Sequence, residues 1–269
     1  MKETKLYDRK YICSGSIIEQ YQYEVPIYKG FKSNNSKGKN RAGVHKEKNR
    51  AQSMGRARQK VIRTINSNPD LNKFLTLTFD ENVTDLNYSH NEFKKWIDRV
   101  NYNVFKTKKR ILKYVAVIEF QKRGAVHYHI ICNLPYIDIK SLRDIWGHGF
   151  IWINKIRGYN DDLECDNVGA YVTKYMVKDN SDERLINRKS YLMSRNLKKP
   201  QEILVGVKEK DLLEQVYHLD EPIIAYMQKS SHLTSAYYNE HTGIVIYNQY
   251  NLKRAKNQSQ KIEGAVCNG

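Results

Sequence analysis

Two histidines two residues apart, in VHYHIIC (126–132), and two tyrosines four apart, in YVTKYMVK (171–178), are the residues of this chain whose types and spacing could do chemistry. VHYHIIC reads as a strand. Side chains at i and i+2 of a strand share a face, so His127 and His129 can each offer one ring nitrogen to a single divalent cation. Alone, such a pair is often incidental. The preceding run YVAVIEF (114–120), joined by QKRGA, makes a hairpin the natural reading. With a three-residue loop Lys122-Arg123-Gly124, Gly124 takes the left-handed position of a bulge and Glu119 falls opposite His127, on the histidine face. Two imidazoles and a carboxylate then form a mixed donor set suited to Mg²⁺ or Mn²⁺ engaging a phosphodiester. A two-residue loop would turn Glu119 to the other face.

On a helix, Tyr171, Lys174, Tyr175 and Lys178 form one stripe. Taken alone, that stripe describes a surface helix with packed tyrosines and snorkelling lysines. Beside a metal site it has a second meaning. A tyrosine hydroxyl is a poor nucleophile at its ordinary pKa of about 10, and a neighbouring ammonium and a metal-polarised phosphate both lower the barrier. Attack on a phosphodiester would leave a phosphotyrosine and a free 3′-OH, and two tyrosines one turn apart would permit two successive transfers.

These residues need elements to position them. FLTLTF (74–79) reads as a strand with Leu75, Leu77 and Phe79 on one face and Thr76 and Thr78 on the other. Ser89 and Glu92 suggest a capping box before a helix whose apolar stripe is Phe93, Trp96, Ile97, Val100 and Val104. Short helix 138–146 and strand 150–156 follow. Asp166 is placed to cap a helix from Val168 to Lys178. Upstream, 11–28 carries one strand pattern, 29–43 a polar Gly-rich loop, and 44–66 a cationic amphipathic helix. Hairpins dominate over crossovers, so the expected class is α+β: an antiparallel sheet with flanking helices. The expected division is a basic N-terminal region 1–70, a catalytic core 71–180 and a C-terminal extension 181–269 without clear pattern.

Lys and Arg outnumber Asp and Glu by 46 to 29, and the net charge is +17. Such an excess points to a nucleic-acid partner. It is concentrated: Lys29 to Arg63 holds twelve cations and one acid, Glu47. Lys37, Lys39, Arg41, Lys46, Lys48, Arg50, Arg56 and Arg58 are therefore the candidate phosphate contacts. The four cysteines show no CxxC pairing, which points away from a disulfide framework or zinc. No signal peptide and no apolar run of about 18 residues is present, so a cytoplasmic protein without membrane contact is expected.

Taken in order, FLTLTF, GAVHYHIIC and YVTKYMVK resemble the HUH superfamily of rolling-circle replication initiators. The doubled tyrosine–lysine form resembles its two-tyrosine class, found in single-stranded DNA phages and related plasmids. The resemblance covers about residues 74–178. It implies an RRM-like antiparallel sheet carrying metal ligands His127 and His129, nucleophiles Tyr171 and Tyr175, and accompanying lysines Lys174 and Lys178. Glu119 is the less fixed third ligand. It also implies a strand-specific nickase of a bacterial host cell, acting on single-stranded DNA at an origin and on the adjacent duplex. With no GxxxxGK[ST] in the sequence, unwinding would fall to a host helicase. The same chemistry fits a conjugative relaxase or an HUH transposase, and a basic DNA-binding protein without activity is the alternative of another class. WGHGFIW (146–152) and SRNLKKP (194–200) are also similar to segments of such proteins, without an assigned role.

Overall fold

A computed structural model describes residues 6–30, 46–156, 167–177, 182–185, 188–207 and 233–254. In chain order the strands and α-helices are β1 (Leu6–Ser14), β2 (Ile17–Tyr28), α1 (Lys46–Asn66), β3 (Lys73–Thr78), α2 (Leu86–Asn103), β4 (Tyr114–Phe120), β5 (Val126–Cys132), α3 (Ile139–Trp146), β6 (Ile151–Lys155), α4 (Val168–Val172), α5 (Lys174–Val177), β7 (Tyr191–Met193), β8 (Gln201–Gly206), β9 (Leu233–Asn239) and β10 (Gly243–Asn251). The class is α+β with two antiparallel sheets, and no described helix is long and apolar enough to cross a membrane.

The chain divides into two compact units: His45–Lys199, and Met1–Val44 together with Pro200–Gly269. In the first, the strand order is β6-β3-β5-β4-β7. Strand alternation gives this sheet two apolar faces. Leu75, Leu77, Ile118, Tyr128 and Ile130 pack with Phe93, Trp96 and Val100 of α2 and with Leu142 and Trp146 of α3. On the other face, Phe74, Val115, Val117 and Ile131 pack with Val61 and Ile65 of α1, Val172 of α4 and Met176 of α5. That second layer is apolar over only part of its length. Towards one end of β3, β5 and β4 the same face carries Thr76, Thr78, His127, His129 and Glu119.

Two caps differ from the expectation. Helix α2 begins at Leu86, capped by Asp85, whose carboxylate accepts from the Asn87 amide at 2.8 Å. Ser89 and Glu92 lie inside the helix and are buried. Ser89 accepts from the Tyr128 hydroxyl, and Glu92 pairs with Lys95 and His148. The helical pattern already starts at buried Leu86, so the earlier carboxylate is the one that meets free amides. The tyrosine segment is capped by Asn167 rather than Asp166, which lies outside the described residues. It is also two short helices instead of one. Thr173, fully buried, donates its hydroxyl to the Ala170 carbonyl at 3.0 Å, and the helix breaks there before resuming at Lys174. Such side-chain bonds compete with the helical ladder.

The other unit is a sheet of order β8-β1-β2-β10-β9 over a small core of Tyr11, Cys13, Ile18, Val205 and Tyr250. The single strand expected in 11–28 is the second arm of a hairpin that turns at Gly15, φ +60°. The 181–269 segment supplies β7 to the first sheet and three strands to the second.

Candidate metal centre and tyrosine helix

The hairpin decides the site. Gln121 donates its amide to the Ala125 carbonyl at 2.9 Å, Gly124 donates to Gln121, and Gly124 has φ +86°. The loop is therefore Lys122-Arg123-Gly124, and Glu119 pairs with His127. Ligand atoms of Glu119, His127 and His129 all lie within 4.8 Å of one another, a spacing one cation can bridge. The donor set of two imidazoles and one carboxylate fits Mg²⁺ or Mn²⁺ with positions left for phosphate oxygens and water.

Neighbours orient the ligands. His129 Nε2 meets the Glu119 carboxylate, and its Nδ1 lies 3.3 Å from the Thr76 hydroxyl. The Thr78 hydroxyl meets His127 Nε2. Hydrogen bonds of this kind fix ring orientation at metal sites. Phe74 stacks on His129 at 15° and 5.9 Å between centroids. Burial, with further contributions from His129 and Arg123, holds the His127 imidazole down to about 4, against the opposing pull of Glu119. The ring is thus neutral near pH 7, as a metal ligand must be. Thr76 and Thr78 are legible in the sequence as one strand face. Their pairing with His129 and His127 is the step that sequence reasoning missed, and it follows once β3 and β5 are read as neighbours.

Tyr171 lies on α4, 38% exposed, with its ring edge-on to Phe74 at 5.9 Å. One ring therefore touches both the candidate nucleophile and a candidate metal ligand. The Lys174 ammonium sits 5.2 Å from the Tyr171 ring centroid, within cation–π range. Tyr175 lies on α5, but its side chain is outside the described residues, as is Lys178. Helix α4 is held on α1 at short range. Asn66 donates to the Asn167 side chain and accepts from the Gly169 amide, both at 3.0 Å. A Cβ at Gly169 would lie 2.5 Å from the Ile62 carbonyl oxygen.

Of the candidate phosphate contacts, Arg56 and Arg58 are exposed on α1, and Arg58 also reaches Thr173 at 3.5 Å. Arg50 donates to the Asp182 carbonyl. Lys46 and Lys48 are described by backbone only, and Lys37, Lys39 and Arg41 lie outside the described residues.

An antiparallel sheet with a two-histidine, one-carboxylate group on one face, and a tyrosine helix packed over that face, defines a class of candidate phosphodiester-handling proteins. Residues 72–180, from β3 to the tyrosine helices, match the model of a family described as Replication-associated protein ORF2. The match covers less than half of the chain and supports a replication-initiator role with DNA as partner. No curated protein and no solved structure matches.

Proposed function

We propose that this chain is a rolling-circle replication initiator that nicks one strand at its origin and holds the cut end on a tyrosine. The observation that carries the reading is the convergence of Glu119, His127 and His129 on the face covered by the Tyr171 helix, within the segment similar to replication proteins.

A bound Mg²⁺ or Mn²⁺ supplies polarisation of the phosphodiester. The chain's own residues do the rest. Glu119, His127 and His129 hold the ion, with Thr76 and Thr78 setting the imidazoles. Lys174, beside the Tyr171 ring, favours the phenolate. The phenolic oxygen bonds to phosphorus, the P–O3′ bond breaks, and the 3′ oxygen leaves as a hydroxyl once it gains a proton. The product is a 5′-phosphotyrosine. One phosphoester replaces another, so the reverse attack by a 3′-OH rejoins DNA without ATP. Tyr175 is the second nucleophile, with Lys178 as its companion, and cuts the regenerated origin after one round. Duplex opening is the work of a host helicase in the bacterial cytoplasm. The N-terminal basic segment, including Lys37, Lys39, Arg41, Lys46 and Lys48, grips the adjacent duplex.

Covalent adduct formation on an origin oligonucleotide tests this. Tyr171→Phe and Tyr175→Phe should each retain adduct, and the double variant should form none. Glu119→Gln or His127→Ala should abolish adduct while leaving most DNA affinity, because phosphate contacts elsewhere supply it. If one single tyrosine variant loses all adduct and the other completes circle release as wild type does, the alternating scheme is wrong.

A further inference from the structure

The motif WGHGFIW is explained by packing up to its last residue. Trp146 is fully buried and donates its indole N–H to the Thr78 carbonyl at 3.0 Å. Gly147, φ +70°, ends α3, and His148 bonds Glu92. Gly149, φ +137°, passes so close to β3 that a Cβ would lie 2.6 Å from the Asp80 amide nitrogen and 2.7 Å from the Thr78 carbonyl. These contacts pin the start of β6 against the end of β3. The register that results places Trp152 directly across from Thr76, which itself pairs with His129.

Trp152 is 44% exposed on the outermost strand of the sheet, whereas Trp96 and Trp146 are fully buried. It faces the metal side, edge-on to Phe74 at 6.3 Å. Phe74 is the ring that also meets His129 and Tyr171. Two strand spacings separate Trp152 from the His129 position, roughly 10 Å, which one or two nucleotides of an extended strand cover. Cations stand nearby in the same unit: Arg56, Arg58 and Lys60 are exposed on α1, and the Arg143 guanidinium lies 5.4 Å from the exposed Phe150 ring. An exposed indole beside basic groups is the chemistry of a base-stacking platform for single strands.

We infer that Trp152 is a single-stranded DNA subsite, stacking an unpaired base one or two nucleotides from the phosphate to be cut. The inference rests on the sheet face being the cleavage site, and its test does not require cleavage. Trp152 is the exposed one of three tryptophans, so intrinsic fluorescence reads it directly. The full chain, with metal chelated, is titrated with oligothymidylate, and affinity is followed separately by anisotropy of a labelled strand. Saturable quenching is expected, with less from a fully paired duplex. Trp152→Phe should abolish the quenching and keep affinity within about threefold, since a ring remains. Trp152→Ala should weaken binding by about tenfold. Quenching that persists in Trp152→Phe, equal quenching by duplex, or unchanged affinity in Trp152→Ala would overturn the subsite. Quenching by a wild-type chain that forms no adduct with metal restored would leave the subsite standing and remove the nicking reading instead.

Discussion

Phe74 lies almost parallel to His129, and the two rings stack 5.9 Å apart. Because Phe74 also meets Tyr171 edge-on, it sets the spacing between the metal ligand and the tyrosine. Phe74→Leu keeps most of the apolar volume and removes the flat surface. A stability loss of about 1 kcal/mol is expected in urea unfolding, as for volume-conserving core changes. Adduct formation should fall by about tenfold or more, because small displacements of reacting groups are costly. An unchanged adduct rate would show that the ring only fills space.

The His127 imidazole, held down to about 4 from 6.5, gives a pH signature. The unfolded chain takes up this proton first as pH falls. The contribution to stability is therefore complete above about 6.5, is lost progressively as pH falls to about 4, and changes no further below that. Thermal melts of the chelated protein should show this loss, and His127→Gln should flatten it. Adding Mn²⁺ near pH 7 should raise the melting temperature of wild type, since a ligand that binds only the folded state stabilises it.

Gly169 is the contact point of α4 on α1. A methyl group there meets backbone atoms of Ile62 that have no room to move aside. Gly169→Ala should cost about 1–3 kcal/mol in chemical denaturation, the usual range for overpacking. It should also lift α4 and lower adduct yield with metal affinity little changed. Loss of stability with full adduct yield would mean that the helix is not seated by this contact.

Arg56 and Lys60 are exposed on α1, whereas Arg50 bonds the Asp182 carbonyl. Replacing either exposed cation by Gln should reduce the slope of log affinity against log salt by about 0.7–0.9, one phosphate contact's worth. Arg50→Gln should act chiefly on stability. Equal slopes for all three variants would argue against α1 as a DNA surface.

The metal face was legible because period-two alternation and one glycine in a short loop fix the hairpin register, and Glu119 follows from them. The strand and helix order from 73 to 156 was legible for the same reason: long apolar runs separated by turn residues. What was hidden depended on distant partners. The break at Thr173 comes from a buried hydroxyl, which spacing does not reveal. Strands β8 to β10 are short of apolar residues because their sheet has a small core, and hydrogen-bonded polar groups such as Gln20 with Tyr11 and Tyr250 do part of the ordering. Periodicity has little to read in such strands.

The strand ladder that pairs Tyr23 with Val245 and Lys10 with Leu204 joins opposite ends of the sequence, with the whole unit His45–Lys199 inserted between them. Chain order thus becomes an order of folding. The inserted unit has all its sheet partners at hand while the ribosome is still at work, since every strand from β3 to β7 lies inside it. The second sheet cannot close until the last strands emerge, because long-range pairing waits on the segments that complete it. During synthesis the β1–β2 hairpin is left with open edges, and the candidate catalytic unit is the first part of the chain able to mature.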